Sequence, residues 1–241
     1  MDYLTYCRIL KNVKEKSPIE SGIQALIYIL VLEVLKDKKE LDVVMIDDTQ
    51  NHSVFMSYGG ISDIAIVDSD FTYNREFKEE DRKKIKICIE VKGVKENISC
   101  SEYTRQVKMQ LLTYKRAIIT NGRDWHFYKY NSCDYDKDIN KVIDKENKLA
   151  NEKRDRTSLY ISRTWLIKKN NDVTEVSKKI EEKTKNIDIL EKAITVERKE
   201  IDNKMKKEYG SIEPQCFTIN NEEDLNSLCD KLKNFIVDTP I

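Results

Sequence analysis

The sequence predicts an α/β fold, a mixed central sheet flanked by helices in an αβββαβ core, followed by a long C-terminal helical extension. Three observations predict it: an apolar helical pattern near the N-terminus, short β-type runs separated by turn residues, and an isoleucine repeat every seven residues near the C-terminus. A chain of 241 residues can bury a full core and carry an appendage. Residues 1–168 are read as the main domain and 169–241 as the helical extension.

The first helix is expected to start at Ser17, with Ser17 as N-cap, Pro18 at the first helical position and Glu20 at the third. Ile19, Ile23, Leu26, Ile27, Leu30, Val34 and Leu35 then recur at helical spacing and give a wide apolar face suited to a sheet. Its most apolar stretch, Ile23 to Leu35, is interrupted by Gln24 and Glu33 and is shorter than the roughly 20 residues a membrane span needs. β-type runs follow at Val43–Ile46, Ser53–Tyr58 and Ile61–Val67, the last two joined by Gly59-Gly60 as a hairpin turn. The polar stretch from Ser69 to Lys84 reads as a long hairpin loop before the strand Ile85–Val91.

A second helix is expected over Ser101–Arg116, then strand, turn and strand at Ala117–Thr120, Asn121-Gly122 and Trp125–Tyr130. Ser158–Ile167, rich in aromatic and β-branched residues, reads as a further strand. Val173, Ile180, Ile187, Ile194 and Ile201 predict one long helix over about 172–209. At the other apolar position of the heptad Val176 and Leu190 fit, whereas Lys183, Glu197 and Lys204 do not, which counts against a perfect coiled-coil dimer. The helix is left three uses: packing along its own domain, pairing with a short helix at about 222–235, or forming a two-fold interface.

Lys plus Arg number 43 and Asp plus Glu number 43, which excludes a binder drawn to nucleic acid by a global field. Any such contact must be a local patch. Cys7, Cys88, Cys100, Cys133, Cys216 and Cys229 show no C-x-x-C spacing, so neither a zinc site nor a disulfide framework is expected. With no secretory pattern at the N-terminus, a cytoplasmic, reducing location is expected.

The residues that suit chemistry are Asp63, Glu90 and Lys92. Acid-x-Lys recurs through this charge-rich chain, but only Glu90 and Lys92 lie in a strand, where the period of two places both on one face. Asp63 stands within an apolar β-type run, where a carboxylate needs a compensating partner such as a cation. Two acids from neighbouring strands can hold Mg²⁺ or Mn²⁺, and a lysine beside them can orient or help deprotonate a water molecule, which is what phosphodiester hydrolysis requires.

The capped helix bearing Glu20, then Gly60-Ile61-Ser62-Asp63, then Ile89-Glu90-Val91-Lys92, resembles the PD-(D/E)xK nuclease superfamily, although the strict Pro-Asp dipeptide is absent. Gln110-Leu111-Leu112-Thr113-Tyr114 and the run from Ile118 to Tyr128 resemble the N-terminal nuclease domain of type I restriction enzyme motor subunits over roughly residues 15–130. The resemblance implies a restriction-endonuclease-like core in which Asp63 and Glu90 ligate metal, Lys92 serves the water, Glu20 completes the catalytic set, and Gln110 and Tyr114 line the substrate site. It also implies a Mg²⁺-dependent deoxyribonuclease of restriction or defence type, and the chain lacks the G-x-x-x-x-G-K-[ST] loop of an ATP motor.

Other roles for the same residues stay open. Glu20 also fits a capping box, and Tyr114 also fits a core aromatic. Gln110 shares a helical face with Tyr103, Val107 and Tyr114, where a polar amide needs a cleft or a buried partner. His52 and His126 are read as structural. Arg82, Lys83, Lys84, Lys86, Lys92, Lys95, Arg105, Lys108, Lys115 and Arg116 gather near the site in sequence and could contact phosphates. The expected substrate is DNA, which the sequence does not separate from RNA, and a homodimer or protein partner through the C-terminal helix is left open. The alternative function is a catalytically silent nuclease-fold module that binds nucleic acid or protein, docking through that helix.

Overall fold

A computed structural model describes residues 1–16, 19–46, 53–73, 79–132 and 134–237. The protein is a mixed α/β chain in two compact units: Met1–Cys133 with Glu208–Ile241, and Asp134–Lys207. The boundary read from sequence lay at 168/169.

The first unit is built on a six-stranded sheet. Its strands are β1 (Leu41–Met45), β4 (Ile64–Asp68), β5 (Ile85–Val91), β6 (Arg116–Thr120), β7 (Asp124–Lys129) and β8 (Gln215–Thr218), in the spatial order β1-β4-β5-β6-β7-β8. The β5–β6 pair is parallel and the others are antiparallel, so the sheet is mixed. A separate two-stranded ribbon joins β2 (Met56–Ser57) to β3 (Gly60–Ile61).

Helices cover both faces. Helix α2 (Glu20–Leu35) lays Ile23, Leu26, Ile27, Leu30, Val31 and Leu35 into a core shared with Ile87, Ile89 and Val91 of β5. Helices α1 (Tyr3–Lys16) and α7 (Glu222–Val237) pack against α2. The strand period of two sends Cys88 and Glu90 to the opposite face, which is covered by α4 (Ser101–Tyr114). Helix α4 ends at Lys115, whose left-handed backbone (φ 63°) turns the chain into β6.

Several expectations are corrected. The cap expected at Ser17 and Pro18 lies outside the described residues; the helix begins at Glu20, with Ile19 as N-cap and no side-chain cap bond. Helix α1 precedes it and was not expected. The ribbon turns on Tyr58-Gly59, one residue earlier than read, and Ser53–Phe55 forms a 3₁₀ turn. Gly59 is required there by close approach, because a Cβ would stand 2.6 Å from the Gln106 carbonyl oxygen and the Gln110 nitrogen of α4. The loop from Ser69 to Lys84 contains a short helix, α3 (Glu79–Lys83).

Ser158–Ile167 is not a strand but the second half of α5 (Asp136–Lys168). Its hydroxyls bond back one helical turn, Thr157 to the Lys153 carbonyl, Ser158 to Arg154, Ser162 to Ser158 and Thr164 to Tyr160. The helical run of Lys, Glu, Leu and Ala before them carries through, overriding local β propensity.

The second unit is a helical pair, α5 and α6 (Thr174–Ser211). Ile180, Ile187, Ile194 and Ile201 of the heptad are buried. The three residues that broke the heptad each pair with α5: Lys183 with Glu152 and Asp155, Glu197 with Lys141 and Lys145, and Lys204 with Asp138. The long helix therefore pairs with α5. Among the described residues no helix is long and apolar enough to cross a membrane.

Candidate active site

The antiparallel register pairs Ile64 with Ile89, which brings Asp63, the residue just before β4, abreast of Glu90. Asp63 lies in the break between β3 and β4 and not inside a strand, and its carbonyl still accepts from the Ile46 amide at 2.8 Å. Its carboxylate reaches across to the end of β5, where Oδ2 accepts from the Val91 amide at 2.6 Å, and Oδ1 accepts from the Gln24 side chain of α2 at 2.7 Å.

Glu90 is 4% exposed, and each of its carboxylate oxygens has a donor. Lys92 Nζ donates to Oε1 at 2.6 Å, Gln106 Nε2 to Oε1 at 2.8 Å, and Gln110 Nε2 to Oε2 at 2.8 Å. Gln106 and Gln110 stand one turn apart on α4, so a single helix face supplies both amides. The ammonium of Lys92 also lies 3.9 Å from Glu20 Oε1 and 5.0 Å from the centre of the Tyr103 ring, whose hydroxyl donates to Glu96 at 3.1 Å.

The electrostatics are unbalanced. Three acids, Glu20, Asp63 and Glu90, share one lysine. Burial first, and then the negative charge of Glu90, push the Asp63 carboxyl up to about 7, against the opposing pull of the Val91 amide. Burial also raises Glu20. Burial pulls Lys92 down, but Glu90, Glu20 and Asp63 together outweigh it and hold the ammonium above its ordinary value. Lys92 is thus a fixed cation at neutral pH.

The structure brings Asp63, Glu90, Lys92 and Glu20 together. It places Gln110, fully buried, on Glu90, and gives the buried Tyr114 hydroxyl to the Phe55 carbonyl at 2.6 Å, so neither faces solvent. Sequence reasoning missed Gln24 and Gln106 as partners of the acids. Gln24 was visible as a polar break in an apolar helix, and Gln106 as the residue one turn before Gln110. His52 lies outside the described residues. His126 is buried, and its burial lowers it below the ordinary range.

The basic residues counted near the site are largely spent within the fold. Lys84 pairs with Asp70 and Lys86 with Asp68, Arg82 and Arg116 are buried, and Lys115 donates to the Leu112 and Ser132 carbonyls. Asp63 and Glu90 are the residues that could hold a divalent cation, since hard carboxylate oxygens suit Mg²⁺ and a cation would relieve the excess of acid. Among the described residues no group of three or more His, Cys, Asp and Glu side chains is gathered closely enough to hold an ion. No family model, characterised protein or solved structure matches this chain.

Proposed function

We propose that the chain is a metal-dependent nuclease that hydrolyses DNA phosphodiesters, with a restriction-endonuclease-like core centred on Asp63, Glu90 and Lys92. The observation that carries this reading is the uncompensated acid cluster. Asp63 is held near 7 by burial beside Glu90, in a cluster where, among the described residues, Lys92 is the cation in contact with the acids. A structural ion pair has no use for the extra acids, whereas a divalent cation does.

Bound between Asp63 and Glu90, Mg²⁺ would supply Lewis acidity toward a phosphoryl oxygen and lower the pKa of water, keeping several water ligands beside the two acids. Gln24, Gln106, Gln110 and the Val91 amide fix the two carboxylates in orientation. Lys92 stays protonated, so its part is to attract the scissile phosphate and donate a hydrogen bond as charge builds on it, and not to remove a proton. Glu20, half-exposed at the start of α2, holds Lys92 from the other side.

The test is cleavage of circular and linear DNA, and of RNA, with Mg²⁺, Mn²⁺ or EDTA. Metal-dependent nicking should fall on the order of 10³-fold in Asp63→Ala and Lys92→Ala. Full activity in Asp63→Ala sinks the reading.

The saturation of both carboxylates by protein donors supports a second reading, a silent nuclease-fold module in which the same groups form a closed polar network. Calorimetry with Mg²⁺ and Mn²⁺ separates the two, because only the nuclease takes up heat-detectable metal in a manner lost with Asp63→Ala.

A further inference from the structure

We propose that the end of the helical pair nearest its turn is a binding surface for unpaired nucleotides, single-stranded DNA in the first instance. Positive charge is concentrated here. Over residues 153–185 the chain carries ten Lys and Arg against five Asp and Glu, in a molecule whose totals are equal. Of those acids Asp155 is already paired with Lys183 and Glu175 with Lys179. Among the described residues Arg154, Arg156, Arg163, Lys168 and Lys169 form no ion pair with any acid.

The same surface leaves large apolar groups in water. Tyr160, Ile161, Trp165 and Ile167 are 45%, 67%, 54% and 52% exposed. Ile161 and Trp165 stand one turn apart on one face of α5, and Tyr160 and Ile167 lie together on its flank, so the exposed apolar groups fall in two patches and not as scattered singles. Arg154, Ser158, Ile161, Trp165 and Lys168 follow one another at alternating four- and three-residue steps, so they form a single stripe about 21 Å long on α5. Lys169 Nζ lies 4.3 Å from the centre of the Trp165 ring, placing an ammonium beside an aromatic face.

Aromatic side chains interleaved with cations are what an unpaired strand requires, with bases stacked on rings and phosphates on lysine and arginine. A duplex hides its base faces and would leave the exposed rings without a partner. A second copy of this surface would oppose like charges across a two-fold axis. An anionic membrane would need a continuous apolar face, and here Ser158, Ser162 and Thr164 interrupt it.

The test is run in EDTA so that cleavage at the Asp63 site plays no part. The full chain is titrated into fluorescein-labelled oligo(dT) of about 16 nucleotides and into a blunt duplex of equal length, over a range of salt, by fluorescence anisotropy. Oligo(dT) is expected to bind more tightly than the duplex. Trp165→Ala should weaken it about tenfold with the salt dependence unchanged, and Trp165→Phe should restore most of the loss. Lys168→Glu with Lys169→Glu should weaken it and flatten the salt slope by roughly 0.7 per lysine. These positions are exposed, so circular dichroism should show unchanged folding. Trp165→Ala binding as the wild type overturns the proposal. So does a preference for the duplex, or binding of phosphatidylserine vesicles that oligo(dT) does not displace.

Discussion

In the helical pair, acids meet lysines in near balance at the surface: Lys153 with Glu191 at 2.7 Å, Lys204 with Asp138 at 3.1 Å, Lys183 between two acids and Glu197 between two lysines. Around Glu90, three acids share a single ammonium, with Glu90 itself almost wholly withdrawn from water. Solvent-exposed pairs cost the chain little to form and return little, about 0–1 kcal/mol each. A buried excess of acid is held at the expense of stability, and a fold keeps it only where surrounding packing and amide donors over-determine it. The contrast separates charges balanced within a helical pair from charges that the proposed metal would balance.

The largest effect expected from this contrast is on pH dependence. An acid whose folded pKa is raised keeps its proton in the native chain where the unfolded chain has lost it. With the Asp63 carboxyl moved from 3.8 to about 7, metal-free stability is fullest at low pH and is lost as pH rises through that window. In EDTA, the wild type should lose on the order of 2–4 kcal/mol relative to Asp63→Asn between those limits. Thermal melts against pH measure it, and Mg²⁺ should restore the wild type at the alkaline end; parallel curves for the two proteins would break the comparison.

A smaller effect is expected at Gln110. Replacing it with Leu removes the donor to Glu90 Oε2 and leaves that oxygen buried without its amide, at a cost of about 1–3 kcal/mol by urea titration. Because Glu90 loses its anchor, activity should fall further than stability alone accounts for, and Gln110→Glu should not rescue it. Smallest of all is Lys153→Ala in the helical pair, expected below about 0.5 kcal/mol and erased by high salt. A loss at Lys153 as large as at Gln110 would remove the distinction.

The parts legible in the sequence are those where local period and tertiary burial agree. Ile23 to Leu35 had to be a helix against a sheet, and Lys92 comes beside Glu90 although β5 closes at Val91, because its amide still bonds to the Thr120 carbonyl and continues the strand's course. What escaped has identifiable causes. Strand β8, Gln215–Thr218, is short and mostly exposed at the sheet edge, so it carries no alternating pattern. Helix α5 was hidden by Tyr160, Ile161, Trp165 and Ile167, whose preference for strands holds only where packing rewards it. Gln24 and Gln106 matter through partners on other elements, and a contact between elements far apart in the chain leaves only a polar residue in an apolar setting as its trace.

The placement of β8 has a further consequence. It pairs with β7, and the whole of α5 and α6 falls between these two antiparallel neighbours. In topological terms the helical pair occupies the position of a hairpin loop, which is where a sheet tolerates insertion most readily. Such an insert can lengthen, shorten or be exchanged over generations without changing the order of a single strand. The polar cluster at Glu90 and the cationic surface at Trp165 are therefore free to vary as separate heritable traits, one set by the sheet and the other by what is spliced into its edge.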